Sequence, residues 1–258
     1  MPDFYGQLAP NYHLIFRDWP AAITNQADQL SGIIRAQWGG TVSSVLDVSC
    51  RIGTKAIGLA RMGFRVTASD LSATGMARAE QETKSRGLKI SYSVCDMREA
   101  NLHHGGGFDL TISCDNSITH LLTDEDILRA LEQMYACTSP DGGCLLTVRD
   151  YDQEERGIGL VKPCGVREQD GKRHLIFQVW DFDGDHYDLS MYFVEDDGVA
   201  AVAPTQIMRS RYYAISPNKI LRLMTQAGFV NVERLDGEFY QPVVVGTRPR
   251  QDLVRSPI

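Results

Sequence analysis

Three acidic residues stand where apolar runs end: Asp47 after Val45-Leu46, Asp70 after Val66-Thr67-Ala68-Ser69, and Asp96 after Val94-Cys95. Between the first two lies Ser49-Cys50-Arg51-Ile52-Gly53-Thr54-Lys55, a tight loop that opens onto a helix-like run. A strand–loop–helix of this kind brings backbone N–H groups and a helix N-terminus to a ligand. Gly53 permits close backbone approach, and an acid at the end of the second strand can hold the two hydroxyls of a ribose. Capping of the following helix is the plainer alternative for Asp70. Asp96 can accept a hydrogen bond from the exocyclic amine of an adenine while Met97 packs on the ring.

Two further stretches carry polar side chains to the same place. Cys114-Asp115-Asn116-Ser117-Ile118-Thr119-His120 follows a fourth apolar run. Asn116 can donate to and accept from an amine or a carboxylate. His120 is a candidate base, with a structural hydrogen bond as the alternative. The fifth run ends Val148-Arg149-Asp150-Tyr151-Asp152, where the planar fork of Arg149 suits a carboxylate, unless Asp150 or Asp152 pairs with it.

These residues need elements to position them. Residues 3–40 read as amphipathic helix, broken at Pro10 and reopened at Pro20, with Ile23, Ala27, Leu30, Ile33 and Ile34 at helical spacing and Gly39-Gly40 at the end. From Ser44 the pattern alternates: strands at 45–48, 65–69, 90–94, 109–114 and 143–150, with helices at 55–62, 74–86 and 124–137. This is the signature of an α/β, doubly wound, mostly parallel sheet with ligands at the carboxyl ends of its strands. After Asp150 the runs 174–181, 189–195 and 209–214 read as antiparallel strands inserted over that edge. Trp180, Tyr187, Tyr192, Tyr212 and Tyr213 either line a pocket there or pack on the sheet, and Asp181-Phe182-Asp183-Gly184-Asp185 reads as a hairpin turn. A helix at 217–227 and a strand pair at 229–235 and 242–247 close the sheet. The expected division is a helical lid at 1–40, a core at 41–152 and 215–250, and an inserted β subdomain at 153–214.

Bulk properties narrow the function classes. The 258 residues are 43% hydrophobic and 23% charged, ordinary for a soluble protein. Twenty-six Lys and Arg against 33 Asp and Glu give a net charge of −7, which disfavours a nucleic-acid partner. The six cysteines form no Cys-x-x-Cys, so a zinc site is not expected, and no metal is assigned. No secretory signal is read at the N-terminus, and no apolar run approaches the about 18 residues of a membrane span. The expectation is a cytoplasmic protein with reduced thiols, a small-molecule substrate and no membrane partner; homo-oligomerisation stays open.

Together these residues resemble a class I S-adenosylmethionine-dependent methyltransferase, over about residues 4–247. Phe4-Tyr5-Gly6-Gln7-Leu8-Ala9-Pro10-Asn11-Tyr12-His13, Asp115 to Leu121 and Arg149-Asp150-Tyr151-Asp152 are similar, more narrowly, to bacterial glycine and sarcosine N-methyltransferases. The resemblance implies a seven-stranded Rossmann-like sheet and S-adenosylmethionine as cofactor. It implies a cofactor set of Asp47, Arg51, Gly53, Asp70, Leu71, Asp96, Met97 and Cys114, with Asp70 on the ribose and Asp96 and Met97 on the adenine. Asn116, Arg149 and Tyr151 would hold an amino-acid carboxylate. Tyr5 and Tyr12 would close over the sulfonium, with Asn116 and His120 completing the catalytic set. Methyl transfer to the nitrogen of an amino acid or related amine is the leading expectation. Transfer or cyclisation of the aminocarboxypropyl arm, or partner binding without catalysis, are the alternatives. Arg51 motivates both, because it stands where the family has glycine. It either points away, reaches the cofactor carboxylate with Lys55, or weakens cofactor binding.

Overall fold

The computed structural model describes residues 4–250. The chain runs α1 (Phe4–Leu8), α2 (Trp19–Trp38), β1 (Ser44–Asp47), α3 (Thr54–Arg61), β2 (Arg65–Asp70), α4 (Ala73–Ser85) and β3 (Ser91–Val94). It continues with α5 (Ala100–His104), β4 (Phe108–Ser113), α6 (Asp124–Cys137) and β5 (Thr138–Thr147). Next come β6 (Leu160–Gln169), β7 (Lys172–Asp183), β8 (His186–Asp196) and β9 (Thr205–Tyr213), and then α7 (Pro217–Gln226), β10 (Val230–Leu235) and β11 (Val243–Thr247).

Seven strands form one sheet in the order β10-β11-β5-β4-β1-β2-β3. The pairs among β1 to β5 are parallel, and β11 joins β5 and β10 antiparallel. The central strands are apolar on both faces because helices cover both: Val45, Leu46, Leu110, Leu145 and Leu146 are all fully buried. The order reverses at β1 and β4, which opens a crevice at their carboxyl ends. α2 reaches that edge because Gly58 of α3 leaves room for it; a Cβ there would lie 2.7 Å from both the Ala27 Cβ and the Ile23 carbonyl. Asp18 caps α2 through Ala21 N–H.

The second sheet, β6-β7-β8-β9, is wholly antiparallel. All four strands fall within residues 153–214; three overlap the expected runs, and β6 is the strand the sequence pattern does not mark. Pro163 and Gly165 break its alternation, and the register shifts between them, as an edge strand tolerates. The inner face of this sheet packs Ile176, Trp180, Tyr187, Leu189 and Met208 against Phe4, Leu8, Tyr12 and Trp19 of the N-terminal segment. The two together roof the crevice. Asp183-Gly184-Asp185 is the β7–β8 hairpin turn, with Gly184 at φ 60°. Among the described residues no helix is long and apolar enough to cross a membrane, and no metal-holding cluster of His, Cys, Asp or Glu occurs.

Candidate active site

A cavity of about 340 Å³ opens at the ends of β1, β2 and β3. Asp70, Leu71, Asp96, Met97, Arg51, His120 and Tyr5 line it, with Ser49 and Arg98. Asp70 is buried, and its carboxylate accepts from Arg51 N–H at 2.9 Å and Ser72 N–H at 3.0 Å. It therefore ties the loop after β1 to the end of β2, while Ser72, not Asp70, caps α4 through Gly75 N–H. Leu71 is 66% exposed beside it, an apolar surface facing a cavity. Asp96 accepts from Arg98 N–H at 2.9 Å and from its guanidinium at 2.6 Å, and Arg98 also reaches Asp126 at 3.0 Å. Burial works to raise the Asp96 pKa, and the Arg98 donors overcome it, holding the carboxyl below its ordinary value.

Three members of the expected cofactor set stand behind this wall. Asp47 is buried and accepts from Ser49 N–H at 3.1 Å, outside the lining of this cavity; burial pushes its carboxyl up to about 7. Gly53 starts α3 at φ 91°, where an added Cβ would meet the Tyr92 hydroxyl at 3.2 Å and the Ala79 Cβ at 3.3 Å. The Cys114 carbonyl accepts from the Ser117 hydroxyl at 2.7 Å and shapes the turn after β4. These residues shape the loops that border the cavity.

A second cavity, about 410 Å³, lies between the strand ends and the roof. Arg51 and Tyr5 line both cavities and form the wall they share. Arg51 adopts φ 55°, the left-handed conformation that a glycine enters without strain. Its side chain does not point away. It donates to the Tyr12 hydroxyl and, at 2.7 Å, to the Asp115 carbonyl, and its guanidinium carbon lies 5.1 Å from the Tyr5 ring centre and 5.6 Å from that of Tyr12. The Asp115 carboxylate takes Lys55 and the Tyr240 hydroxyl, with Arg51 at 3.7 Å. Burial raises the Tyr5 and Tyr12 hydroxyls, Tyr12 to about 12, against the opposing pull of Arg51, so both remain protonated at neutral pH.

His120 Nε2 is hydrogen-bonded to the Tyr5 hydroxyl, and its Nδ1 lies 3.4 Å from Ser210 Oγ. Burial, with the Arg51 cation second, lowers its pKa to about 3. The imidazole is therefore neutral at neutral pH, and its bond to the Tyr5 hydroxyl orients that ring. Asn116 is similarly committed. Its Nδ2 donates to Thr119 Oγ1 at 2.9 Å and the Tyr151 hydroxyl at 2.6 Å, and its Oδ1 accepts from Arg149 N–H at 3.0 Å. It clamps the β4 and β5 loops together while lining the second cavity, with one lone pair of Oδ1 still open. Tyr151 is buried behind the chamber, bonded to the Tyr187 hydroxyl at 2.9 Å.

Arg149 does line the chamber, over the Trp180 ring at 4.8 Å. Its ion partner is Glu154 at 2.9 Å, whereas Asp150 pairs with Arg234. Of the aromatic residues in the insertion, Trp180, Tyr187 and Tyr212 line the chamber as one stack, with centroids 4.6 and 5.1 Å apart. Tyr192 instead stacks on Phe177 and Tyr213 on His186. Asp115, Gln26, Gln178 and Tyr240 are lining residues to which sequence reasoning gave no role. Gln26 left a trace: it is a polar side chain three residues after Ile23 and four before Leu30, on the buried face of α2.

Residues 45–142 match the family described as "Methyltransferase domain". The chain is 30% identical over 186 residues to a glycine/sarcosine N-methyltransferase of Parasynechococcus marenigrum, across 68% of this chain and 65% of that relative. It superposes on the sugar N-methyltransferase KedS8 from Streptoalloteichus sp. with a TM-score of 0.77 at 19% identity, over 93% of each chain. CalS10, an amino pentose methyltransferase from Micromonospora echinaspora seen with S-adenosylmethionine bound, gives a TM-score of 0.75 at 18% identity, over 88% of this chain and 91% of that one. At those identities the structural likeness speaks for the fold. These matches support a class I S-adenosylmethionine-dependent methyltransferase, and the chain spans 65% and 49% of the length of two curated glycine/sarcosine N-methyltransferases that it matches. The first cavity fits that cofactor: a buried strand-end carboxylate stands beside two apolar surfaces, Leu71 and Met97, one on each of two successive strand ends.

Proposed function

We propose that this protein methylates the nitrogen of a small amine, an amino acid or a related compound, by direct displacement. The observation that carries this reading is the shared wall. Tyr5 and Arg51 border both the cavity suited to adenosine and the aromatic chamber beside it, so a donor in one and an acceptor in the other meet there. When bound, S-adenosylmethionine supplies a methyl group on a cationic sulfur. The chain's own residues supply orientation and exclusion of water. Asp70 and Leu71 with Met97 hold the nucleoside. The Trp180–Tyr187–Tyr212 stack and Arg149 fix the acceptor. Tyr5, held by His120, presents an oxygen lone pair and a π face to developing positive charge. The amine would enter with its lone pair free, its proton already lost to water, and the wall of Tyr5 and Arg51 would hold it in line with the methyl that the bound donor would give up from its sulfur.

The test is mass spectrometry of the products formed with S-adenosylmethionine and a panel of amino acids and amino sugars. S-adenosylhomocysteine together with an amine heavier by one methylene supports the reading. Methylthioadenosine as by-product, with the arm transferred to the amine, overturns it in favour of aminocarboxypropyl chemistry.

A further inference from the structure

Among the described residues, the buried side-chain polar atoms that lack any hydrogen-bond partner are Gln26 Oε1, Arg51 Nε and Arg149 Nε. They come from α2, the loop after β1 and the end of β5, yet all three side chains line the same 410 Å³ chamber. Buried polar atoms are nearly always satisfied, so orphans gathered on one cavity point to a ligand that completes them. Two are donors on cations and one is a carbonyl acceptor.

The charge of the lining agrees. Three guanidinium groups (Arg17, Arg51 and Arg149) face it against one carboxylate, Asp115. The groups behind the wall add to the excess: Lys55 backs Asp115, while Glu154 is shared by Arg149 and Lys162. A chamber carrying surplus positive charge inside a chain of net charge −7 is a local field built for an anion. Its volume also exceeds what a bare glycine would fill, falling in the about 300–1,000 Å³ range of pockets for larger ligands.

We propose that the acceptor is an amine bearing two anionic groups, one held by Arg149 and the other by Arg51, with an N–H or O–H of the ligand donated to Gln26 Oε1. This rests on the chamber being the acceptor site. It gives Arg51 a purpose: its guanidinium supplies a second anion contact that a glycine in the same loop lacks. Aminodicarboxylates and phosphorylated amino acids share the required chemistry.

The experiment is isothermal titration of the folded chain, saturated with S-adenosylhomocysteine, with matched pairs: glycine and aspartate, sarcosine and iminodiacetate, serine and O-phosphoserine. Expected is at least tenfold tighter binding of the dianionic member in at least one pair, a ratio that falls to near one in Arg51→Gln and a matching preference in methyl-transfer kcat/KM. Equal or weaker binding of the dianionic member throughout overturns the proposal, even where an amine is methylated and the proposed function stands. If the dianion binds but no amine is methylated, the acceptor reading itself fails. The cofactor's own arm is the other source of a carboxylate. If Arg51→Gln weakens S-adenosylhomocysteine while sparing methylthioadenosine, and leaves the amine ratio intact, Arg51 serves the arm and the proposal is overturned.

Discussion

Asn116 sits at φ 65° and joins three groups from two loops: Thr119 Oγ1, the Tyr151 hydroxyl and Arg149 N–H. Removing its amide takes the acceptor from the part-buried Arg149 N–H and one partner from Tyr151. Asn116→Ala is therefore expected to cost about 1–3 kcal/mol of stability, read as a lower urea midpoint, and to raise the acceptor KM more than it lowers kcat. The sequence showed a polar residue after the fourth strand but not its use. An asparagine free to bind a carboxylate and one committed to its neighbours have the same spelling, and the deciding partners lie up to 35 positions away. His120 makes the same point through its pKa. The folded state holds the imidazole at about 3, below the ordinary 6.5 of the unfolded chain. Its neutral form is thus favoured by folding; that stability is complete above pH 6.5 and is lost as pH falls from there towards 3. Urea midpoints measured across this window are expected to drop more steeply for the wild type than for His120→Gln.

At the scale of elements, the parallel core was legible because each strand there is a short apolar run ending in a polar residue, with a helix between. β6 was not, since Pro163 and Gly165 interrupt the alternation that marks a strand. α5, five residues long, is too short to show a period. The contact between α2 and α3 is another feature that only the three-dimensional arrangement reveals. Gly58 lies in a helix, where glycine is unfavourable by about 1 kcal/mol, and its value comes from the closeness of α2. Gly58→Ala gains helix propensity but places a Cβ 2.7 Å from the Ile23 carbonyl, a backbone atom that moves only with its helix. The expected net result is destabilisation of about 1–3 kcal/mol. Because α2 carries Gln26 to the chamber, weaker acceptor binding should accompany it. Calorimetry of unfolding and titration with acceptor measure the two effects separately.

The whole molecule sets the N-terminal segment against everything else. α1 has five residues and the turn at Tyr12–Ile15 has four, lengths that do not hold a helix in water. Their order comes from tertiary contacts: Phe4, Leu8, Tyr12 and Leu14 bury themselves against the second sheet, and Tyr5 and Tyr12 reach down to Arg51 and His120. Part of the surface that folds this segment is therefore the surface that lines the two cavities. A ligand that fills them adds contacts to the closed segment and none to an open one, which shifts the equilibrium towards closure by its differential affinity. The strands β10 and β11 themselves line neither cavity, although the loop between them carries Tyr240 to the second, and they serve as an internal reference. Hydrogen exchange is expected to slow at least tenfold for amides of residues 5–15 on saturation with S-adenosylhomocysteine, with β10 and β11 unchanged. Equal protection with and without ligand would mean that the roof is closed by its own packing, so that ligands must enter through another side of the crevice.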